Sequence, residues 1–288
     1  MAEDNVAGLD TRALYVLRDG ELVAEAYRDG ISAATPLLGW SMAKSVTAMM
    51  LARMEALGLA ARARSHAIHA AITGSVGKTS VKEMVAQIFR AEGAAHCNER
   101  SFNNHWGVPL TLARMPKDTQ RAVFEIGMNT PGEIAPRSRM VRPQIAAITK
   151  IAPAHLQGLG AIDAIADEKS NIFAGLESGG VAILPRDDAF FDYLKARVFD
   201  QQPHAQLLSF GDADSGADAR LLSFHSKGEQ SFGKADVLGE KVDFTLSAVG
   251  AHWGLNAVLA ILIGLVFFNR FFLLTRKPLF MLRMGLAT

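Results

Sequence analysis

The residues best suited to chemistry form one short run, residues 73–80, which reads Thr-Gly-Ser-Val-Gly-Lys-Thr-Ser. Glycines let a backbone curl so that successive N–H groups point at phosphate oxygens, a lysine adds positive charge, and a threonine hydroxyl can bind Mg²⁺. The commonest form of this motif begins with a glycine where this chain has Ile72, so the run is a shorter variant. The residues predicted to contact a nucleotide are Gly74, Ser75, Val76, Gly77, Lys78, Thr79 and Ser80.

A strand and a helix must position such a loop, and the sequence predicts both. Residues 67–73 are mostly apolar and predict a buried strand. After the loop, apolar residues recur at helical spacing until Gly93, which predicts an amphipathic helix. The alternative is a glycine-containing turn with an unrelated lysine, and the flanking elements argue against it. We therefore predict nucleotide binding at this loop.

Strands and helices continue to alternate through residues 59–262. This alternation predicts an α/β fold whose mostly parallel sheet carries helices on both faces. Residues 242–246 suggest an antiparallel edge, and a final helix is predicted to begin near Ala251. The predicted strands are 67–73, 122–127, 145–151, 181–185 and 207–211.

The amino-terminal residues 1–58 have a different pattern. Two β-rich runs joined by Asp19-Gly20 predict a hairpin, and a helix is predicted from Trp40 to Gly58. A hairpin followed by Ser41-x-x-Lys44 at a helix start resembles the beginning of class C β-lactamase-like serine hydrolases. That resemblance implies Ser41 as the acylated nucleophile and Lys44 as the group that eases its deprotonation. The other motifs of that group have no fitting context here, so a non-catalytic fragment or an ordinary helix start stays open.

Composition limits the classes of function. The 288 residues are 49% hydrophobic with a net charge of +1, which indicates a globular protein and gives no reason to expect a nucleic-acid partner. The single Cys97 excludes an internal disulfide, and the acidic start without an apolar run is unlike a secretory signal, so we expect a cytoplasmic protein. The apolar run at 257–274, followed by basic residues, is long enough to make membrane contact the alternative.

Five further motifs follow the loop: Phe-Asn-Asn-His-Trp-Gly-Val-Pro-Leu-Thr-Leu at 102–112, Glu-Ile-Gly-Met-Asn at 125–129, Pro-Gly-Glu-Ile-Ala at 131–135, Ala-Pro-Ala-His-Leu at 152–156, and Glu-Lys with Ile-Phe-x-Gly-Leu at 168–176. Together with the loop they resemble the Mur ligase family of peptidoglycan synthesis. The stretch at 103–112 favours the branch of that family that adds D-alanyl-D-alanine. The resemblance implies an ATP- and Mg²⁺-dependent ligase that joins D-alanyl-D-alanine to UDP-MurNAc-tripeptide through an acyl phosphate.

The resemblance also implies roles for individual residues. Thr79 and Glu125 would hold one Mg²⁺, and His155 with a carbamylated Lys169 would hold a second. Glu125 follows a predicted strand, so its carboxylate would face the crevice where ligands bind in such sheets. The alternatives are a solvated strand-end acid for Glu125, a structural histidine for His155 and a helix-surface lysine for Lys169.

Two pairs of side chains are expected to contact the organic ligands. Asn103 and Asn104 are candidates for substrate contact, by the same resemblance. His252 and Asn256 lie four residues apart on a predicted helix, hence on one face, and match the family's element near the adenine. A packed or capped helix start is the alternative for that pair.

Members of the family have three domains, and only the central one is recognisable here. We therefore expect residues 1–58 to be a separate fragment, 59–262 to be the ATP-binding domain and 263–288 to be an unassigned apolar and basic tail. A ligase lacking its flanking domains is expected to lose turnover before it loses nucleotide affinity, because domain closure completes many catalytic sites. An ATP-binding module without ligase activity is the alternative.

Overall fold

The structure is a computed structural model that describes residues 11–36, 42–153, 161–271 and 282–284. The chain divides into two compact units, residues 1–50 and 51–288. The first contains an antiparallel hairpin of β1 (Ala13–Arg18) and β2 (Glu21–Tyr27). Asp19 and Gly20 at its turn have φ angles of 52° and 84°, as a tight Asp-Gly hairpin turn requires. The predicted hairpin is confirmed.

The helix α1 (Met42–Ala63) runs from the first unit into the second. Its predicted end at Gly58 is wrong, because the helix continues to Ala63. A Cβ on Gly58 would lie 2.9 Å from the carbonyl oxygen of Pro109, so this glycine permits close approach to the helix α3 (Gly107–Ala113) and does not act as a terminator.

The second unit is built on a ten-stranded sheet. Neighbouring strands are parallel from β4 through β9, β10 pairs antiparallel with both β9 and β11, and β12 pairs parallel with β11. The predicted parallel sheet with an antiparallel edge is confirmed. The strands, in spatial order, are β12 (Leu282–Met284), β11 (Glu240–Leu246), β10 (Gln230–Val237), β9 (Ala219–Lys227), β8 (Gln206–Asp212), β7 (Val181–Pro185), β6 (Ile145–Ile148), β3 (Ile68–Thr73), β5 (Arg121–Glu125) and β4 (Ala95–Cys97).

Helices cover both faces of this sheet, and two apolar cores result. Ala70 and Ile72 of β3 pack in one core with the helices at 78–91 and 252–271, whereas Ala71 packs in the opposite core with α3 and the helices at 134–141, 162–170 and 191–201. Strands buried on both faces account for the nearly continuous apolar runs in the sequence. The remaining helices are α2 (Lys78–Ala91), α4 (Ile134–Val141), α5 (Ile162–Ser170), which a 3₁₀ turn (Asn171–Gly175) continues, α6 (Phe191–Gln201) and α7 (His252–Phe271).

The helix α7 contains most of the apolar run predicted as a possible membrane contact. Residues 257–263 are fully buried in the core shared with α2, and the rings of Phe89 and Phe267 lie 4.7 Å apart between centroids. Within the described ranges, no helix has the length and apolarity to cross a membrane. Packing in the core therefore accounts for the apolar character up to Phe267, and the end of the run at 272–274 lies outside the described residues.

Candidate functional site

The glycine-containing loop after β3, residues 74–77, lies where the order of the strands in the sheet changes direction. The strand β3 has β5 on one side and β6 on the other. The chain passes from β3 through α2 to β4 and β5, and then returns to the other side of β3 for β6. In open parallel sheets, ligands bind outside the carboxyl ends of the strands at such a point. The loop that follows Thr73 begins at this crevice.

Two glycines of the loop have backbones that a side chain would disturb. Gly74 has a φ of 148°, and a Cβ there would lie 1.9 Å from the hydroxyl oxygen of Thr149. Gly77 has a φ of 84° and directly precedes α2, and its Cβ would lie 2.7 Å from the amide oxygen of Asn256. Positive φ angles combined with close neighbours explain why both positions are glycine.

The segment after β6 holds the loop in place. The Ser75 N–H donates to the Lys150 carbonyl at 2.8 Å, and the Ser75 hydroxyl donates to the Ala152 carbonyl at 2.8 Å. The Thr149 hydroxyl donates to the carbonyl of Val76. Contacts from the segment after β6 therefore fix the shape of the loop that follows β3.

Lys78, the first residue of α2, folds back over the loop. Its Nζ donates to the carbonyl oxygens of Gly74 at 2.8 Å and Ser75 at 3.4 Å. Burial lowers the pKa of Lys78, and the nearby charge of Glu125 opposes that shift. The ammonium therefore lies against two carbonyl oxygens of the loop.

Glu125 ends β5 and is only 1% exposed, so it is not the solvated strand-end acid considered as an alternative. The Thr79 hydroxyl donates to its Oε2 at 2.8 Å, and the Asn103 amide donates to its Oε1 at 2.6 Å. The Glu125 backbone N–H donates to the Asn98 side-chain oxygen at 2.7 Å. The sheet and the helix thus bring Thr79 and Glu125 into direct contact.

Lys169, near the end of α5, is 1% exposed, so the interpretation as a helix-surface lysine is wrong. Burial, together with the charge of Lys78, lowers the pKa of Lys169 to about 7, whereas Glu168 opposes the shift. The Glu168 carboxylate accepts the N–H groups of Gly132 and Ile134 at 2.8 Å each, at the start of α4. Lys169 is therefore a buried amine within electrostatic range of the loop lysine.

Of the other residues predicted to contact a ligand, Asn104 and His252 lie at helix starts, and Asn256 lies against the loop. The Asn104 side chain accepts the Gly107 N–H at 2.9 Å, at the start of α3. His252 is exposed at the start of α7, where its ring lies 5.3 Å from that of Trp253. Asn256, one turn further, lies against Gly77 of the loop. Of the pair predicted near the adenine, Asn256 is the one in contact with the loop.

His155 and Ser41 lie outside the described residues. Lys44 is an exposed residue of α1 in the first unit.

Several residues that shape the site have little or no signal in the sequence. The predicted strand 145–151 places Thr149 in a strand interior, whereas β6 ends at Ile148 and leaves Thr149 at the carboxyl edge of the sheet. Asn98 follows β4, a three-residue strand too short to predict from its pattern. Asp188, after β7, accepts the Ile151 N–H at 2.8 Å. Lys82 is fully buried among the apolar residues of α2, and a lysine in that stripe is the signal that could have revealed it.

The comparisons with known proteins decide the family. The family model described as "Mur ligase middle domain" matches residues 72–264. The chain belongs to the Mur ligase family. Its Mur ligase relatives include a UDP-N-acetylmuramoyl-tripeptide--D-alanyl-D-alanine ligase from Rickettsia prowazekii, 31% identical over 203 residues that cover 70% of this chain and 45% of the relative. The protein of that name from Escherichia coli is 43% identical over 118 residues, or 41% of this chain and 26% of the relative.

Solved Mur ligases have the same fold. A crystal structure of MurF from Acinetobacter baumannii superposes with a TM-score of 0.70 at 30% identity and covers 75% of this chain and 46% of that one. A MurF ligase from Thermotoga maritima in complex with ADP gives a TM-score of 0.64 at 20% identity, covering 74% of this chain and 48% of that one. The chain thus spans less than half the length of these Mur ligases. The match to the middle domain begins at residue 72, and no comparison supports the hydrolase resemblance of residues 1–58.

Proposed function

We propose that this chain binds ATP and Mg²⁺ at the loop after β3 and forms the catalytic core of a cytoplasmic ligase that adds D-alanyl-D-alanine to UDP-MurNAc-tripeptide. The names of the curated relatives support the reaction, and the ADP complex of a neighbour with the same fold supports the nucleotide. The observation that carries the proposal is the contact of the Thr79 hydroxyl with the Glu125 carboxylate, 2.8 Å away, directly beside the loop lysine.

The residues present fit the proposed metal. Mg²⁺ prefers hard oxygen ligands, commonly one or two from the protein together with phosphate oxygens and water. Thr79 and Glu125 supply a hydroxyl and a carboxylate from two elements at the crevice. When bound, Mg²⁺ would offset the negative charge that develops between ATP and the substrate carboxylate.

Lys169 fits the second metal site only in modified form. An ammonium has hydrogen-bond donors and no lone pair, so it is not a metal ligand. Its pKa of about 7 leaves a large share of neutral amine at neutral pH, and the neutral amine is the form that reacts with carbon dioxide to give a carbamate and a proton. We propose that Lys169 is carbamylated and acts with His155, as the family resemblance implies.

The loop itself would stabilise the phosphates. We expect Lys78 to exchange the carbonyls of Gly74 and Ser75 for phosphate oxygens, while the N–H groups at the start of α2 face the same charge. Asn256 is the better placed of the predicted adenine contacts, since its amide lies against Gly77. Asn103 contacts Glu125 directly, so any effect it has on the substrate is expected to act through that carboxylate.

We further propose that residues 59–262 act as the ATP-binding domain, with 1–58 as a separate fragment and 263–288 as a tail. Phe267, which lies after residue 262, packs against Phe89 of α2. The helix α7 therefore contributes to the core of this domain beyond the proposed boundary. UDP-MurNAc-peptide and D-alanyl-D-alanine are the proposed partners.

Calorimetric titration of ATP with Mg²⁺ tests the nucleotide site. Lys78→Met should weaken binding about tenfold to a hundredfold, the equivalent of one or two charge-assisted hydrogen bonds. Lys195→Met changes an exposed lysine of α6 and should leave the affinity unchanged. Equal affinities for the two variants would contradict the proposed site.

Phosphate release tests the reaction. With ATP, UDP-MurNAc-tripeptide and D-alanyl-D-alanine all present, a ligase releases phosphate only when both substrates are supplied. Nucleotide binding without substrate-dependent phosphate release would instead support the ATP-binding module.

A further inference from the structure

Lys82, a buried lysine on α2, has no part in the proposed reaction, yet its ammonium has three hydrogen-bond partners. Lys82 has no exposed surface, and its Nζ donates to the carbonyls of Asn98 at 2.9 Å and Arg100 at 2.8 Å and to the Glu83 carboxylate. An ammonium has three donors, so all are satisfied. Because burying a charge is costly, a buried lysine at this position calls for a specific role.

The segment that Lys82 holds, residues 98–103, wraps the end of β5. Asn98 has no exposed surface and contacts Glu125 twice along the backbone, accepting its N–H at 2.7 Å and donating to its carbonyl at 3.4 Å. Asn103, at the other end of the segment, donates to the Glu125 carboxylate at 2.6 Å. The segment therefore fixes both the main chain and the side chain of Glu125.

The shape of the segment depends on the contact with Lys82. Arg100 has a φ of 50°, a left-handed backbone conformation that residues other than glycine adopt at a cost in free energy. Its carbonyl is one of the two that Lys82 binds. The hydrogen bonds of a buried ammonium offset the strain and keep the segment in this conformation.

The helix α2 thus reaches Glu125 by two routes. Thr79 and Lys82 are three residues apart and lie on one face of the helix. Thr79 contacts the carboxylate directly, and Lys82 contacts the segment that carries Asn98 and Asn103.

We propose that Lys82 and Asn98 are positioning residues that orient the Glu125 carboxylate for Mg²⁺, an inference that rests on the proposed function. Neither is expected to touch the metal or the nucleotide. Loss of residues that support a metal ligand typically lowers metal affinity by about 10- to 100-fold. Lys82→Met and Asn98→Ala should therefore weaken the apparent Mg²⁺ affinity and leave metal-free nucleotide binding intact.

The test uses the full chain and a fluorescent ADP analogue, titrated first in EDTA and then with Mg²⁺ at fixed nucleotide. Lys82→Met and Asn98→Ala should each shift the Mg²⁺ midpoint upward about tenfold with the EDTA affinity unchanged. Glu83→Gln is the matched control, since it alters a partner of Lys82 that is 37% exposed and retains both carbonyl contacts. It should behave like the unmodified chain.

Each outcome separates the two proposals. No Mg²⁺-dependent binding by the unmodified chain would overturn the proposed function and this inference with it. Normal Mg²⁺ midpoints in both variants would overturn the inference alone, as would an equal loss of affinity in EDTA. Circular dichroism checks folding, and if Lys82→Met does not fold, Asn98→Ala decides. Failure of both variants to fold would show a purely structural role and overturn the inference.

Discussion

At the scale of single residues, the site depends on backbone conformations that few side chains tolerate. Gly74 combines a φ of 148° with a would-be Cβ contact of 1.9 Å to Thr149. Thr149 cannot move away without losing its hydrogen bond to Val76. The glycine therefore satisfies a steric requirement as well as a conformational one.

Gly74→Ala should lower the free energy of unfolding by about 2 to 4 kcal/mol, from backbone strain and overpacking together. Gly216→Ala is the control, because Gly216 also has a positive φ, 67°, but no atom lies within 4 Å of its would-be Cβ. It should cost only the strain, about 1 kcal/mol. Urea denaturation measures both, and equal losses would argue against the steric contact.

A buried histidine gives a prediction about pH. His69 has no exposed surface, and burial, aided by the charge of Arg62, lowers its pKa to about 3. Its Nδ1 contacts the Val141 carbonyl at 3.0 Å, and its Nε2 has no hydrogen-bond partner in the described part of the chain. The folded protein therefore keeps this imidazole neutral.

Between the ordinary histidine pKa of about 6.5 and the folded value of about 3, the unfolded chain binds more protons than the native one. The stability contributed by His69 is therefore complete above the unfolded pKa and is lost as pH falls toward the folded pKa. His69→Gln should flatten the decline in unfolding free energy between about pH 6.5 and 4, whereas His204→Gln, at an exposed position, should not. Urea denaturation across that range measures this, and parallel declines in all three proteins would contradict the prediction.

At the scale of elements, the carboxyl half of α1 is joined to α4 by one arginine. Arg62 is 6% exposed and donates to the carbonyls of Val141 at 2.7 Å and Arg142 at 2.9 Å. These carbonyls end α4, where helix acceptors lack partners within the helix. The Arg62 side chain of α1 thus caps the carboxyl end of α4.

Arg62→Met should reduce the free energy of unfolding by about 1 to 3 kcal/mol, because one buried and one partly buried carbonyl lose a charged donor. The control is Arg53→Met, which changes an exposed arginine on the same helix and should have little effect. Thermal denaturation followed by circular dichroism compares them, and a similar shift in both Tm values would show that the capping contact contributes nothing.

The apolar helix α7 gives a second prediction at this scale. Phe267 is fully buried and packs on Phe89, so Phe267→Ala should cost about 3 to 5 kcal/mol of unfolding free energy. Phe199→Ala removes the same side chain at a position that is 38% exposed, and its cost should be about 1 kcal/mol or less. Denaturant midpoints decide, and equal costs would indicate that α7 is not packed in the core.

The elements show what the sequence could and could not predict. The motif at 73–80 predicts the loop. Apolar patterns predict the parallel strands and the final helix, because burial on the sheet faces imposes those patterns locally. The hairpin turn followed from Asp19-Gly20 alone. Contacts such as Lys82 with Asn98, or Thr149 with Val76, join polar groups that are distant in sequence. They were not predictable, because loops and strand ends have no periodic signal.

At the scale of the whole molecule, the described residues of the hairpin bury little apolar surface. Large apolar side chains of its hairpin remain about half exposed, for example Leu14 at 49% and Leu17 at 65%. A chain that begins at Met42 retains every described residue of the proposed nucleotide site. We therefore expect it to keep both its cooperative unfolding transition and its Mg²⁺-nucleotide affinity, measured by calorimetry. A marked loss of either would show that residues 1–41 support the second unit.

The contact between Asn256 and Gly77 has a consequence for how the protein is made. The loop emerges early from the ribosome, whereas α7 is synthesised after all the strands from β3 to β11. Closing such a long stretch of chain is entropically unfavourable until the intervening sheet has formed. The loop is therefore synthesised long before Asn256 can contact Gly77. We expect nucleotide affinity to arise only when translation has passed α7.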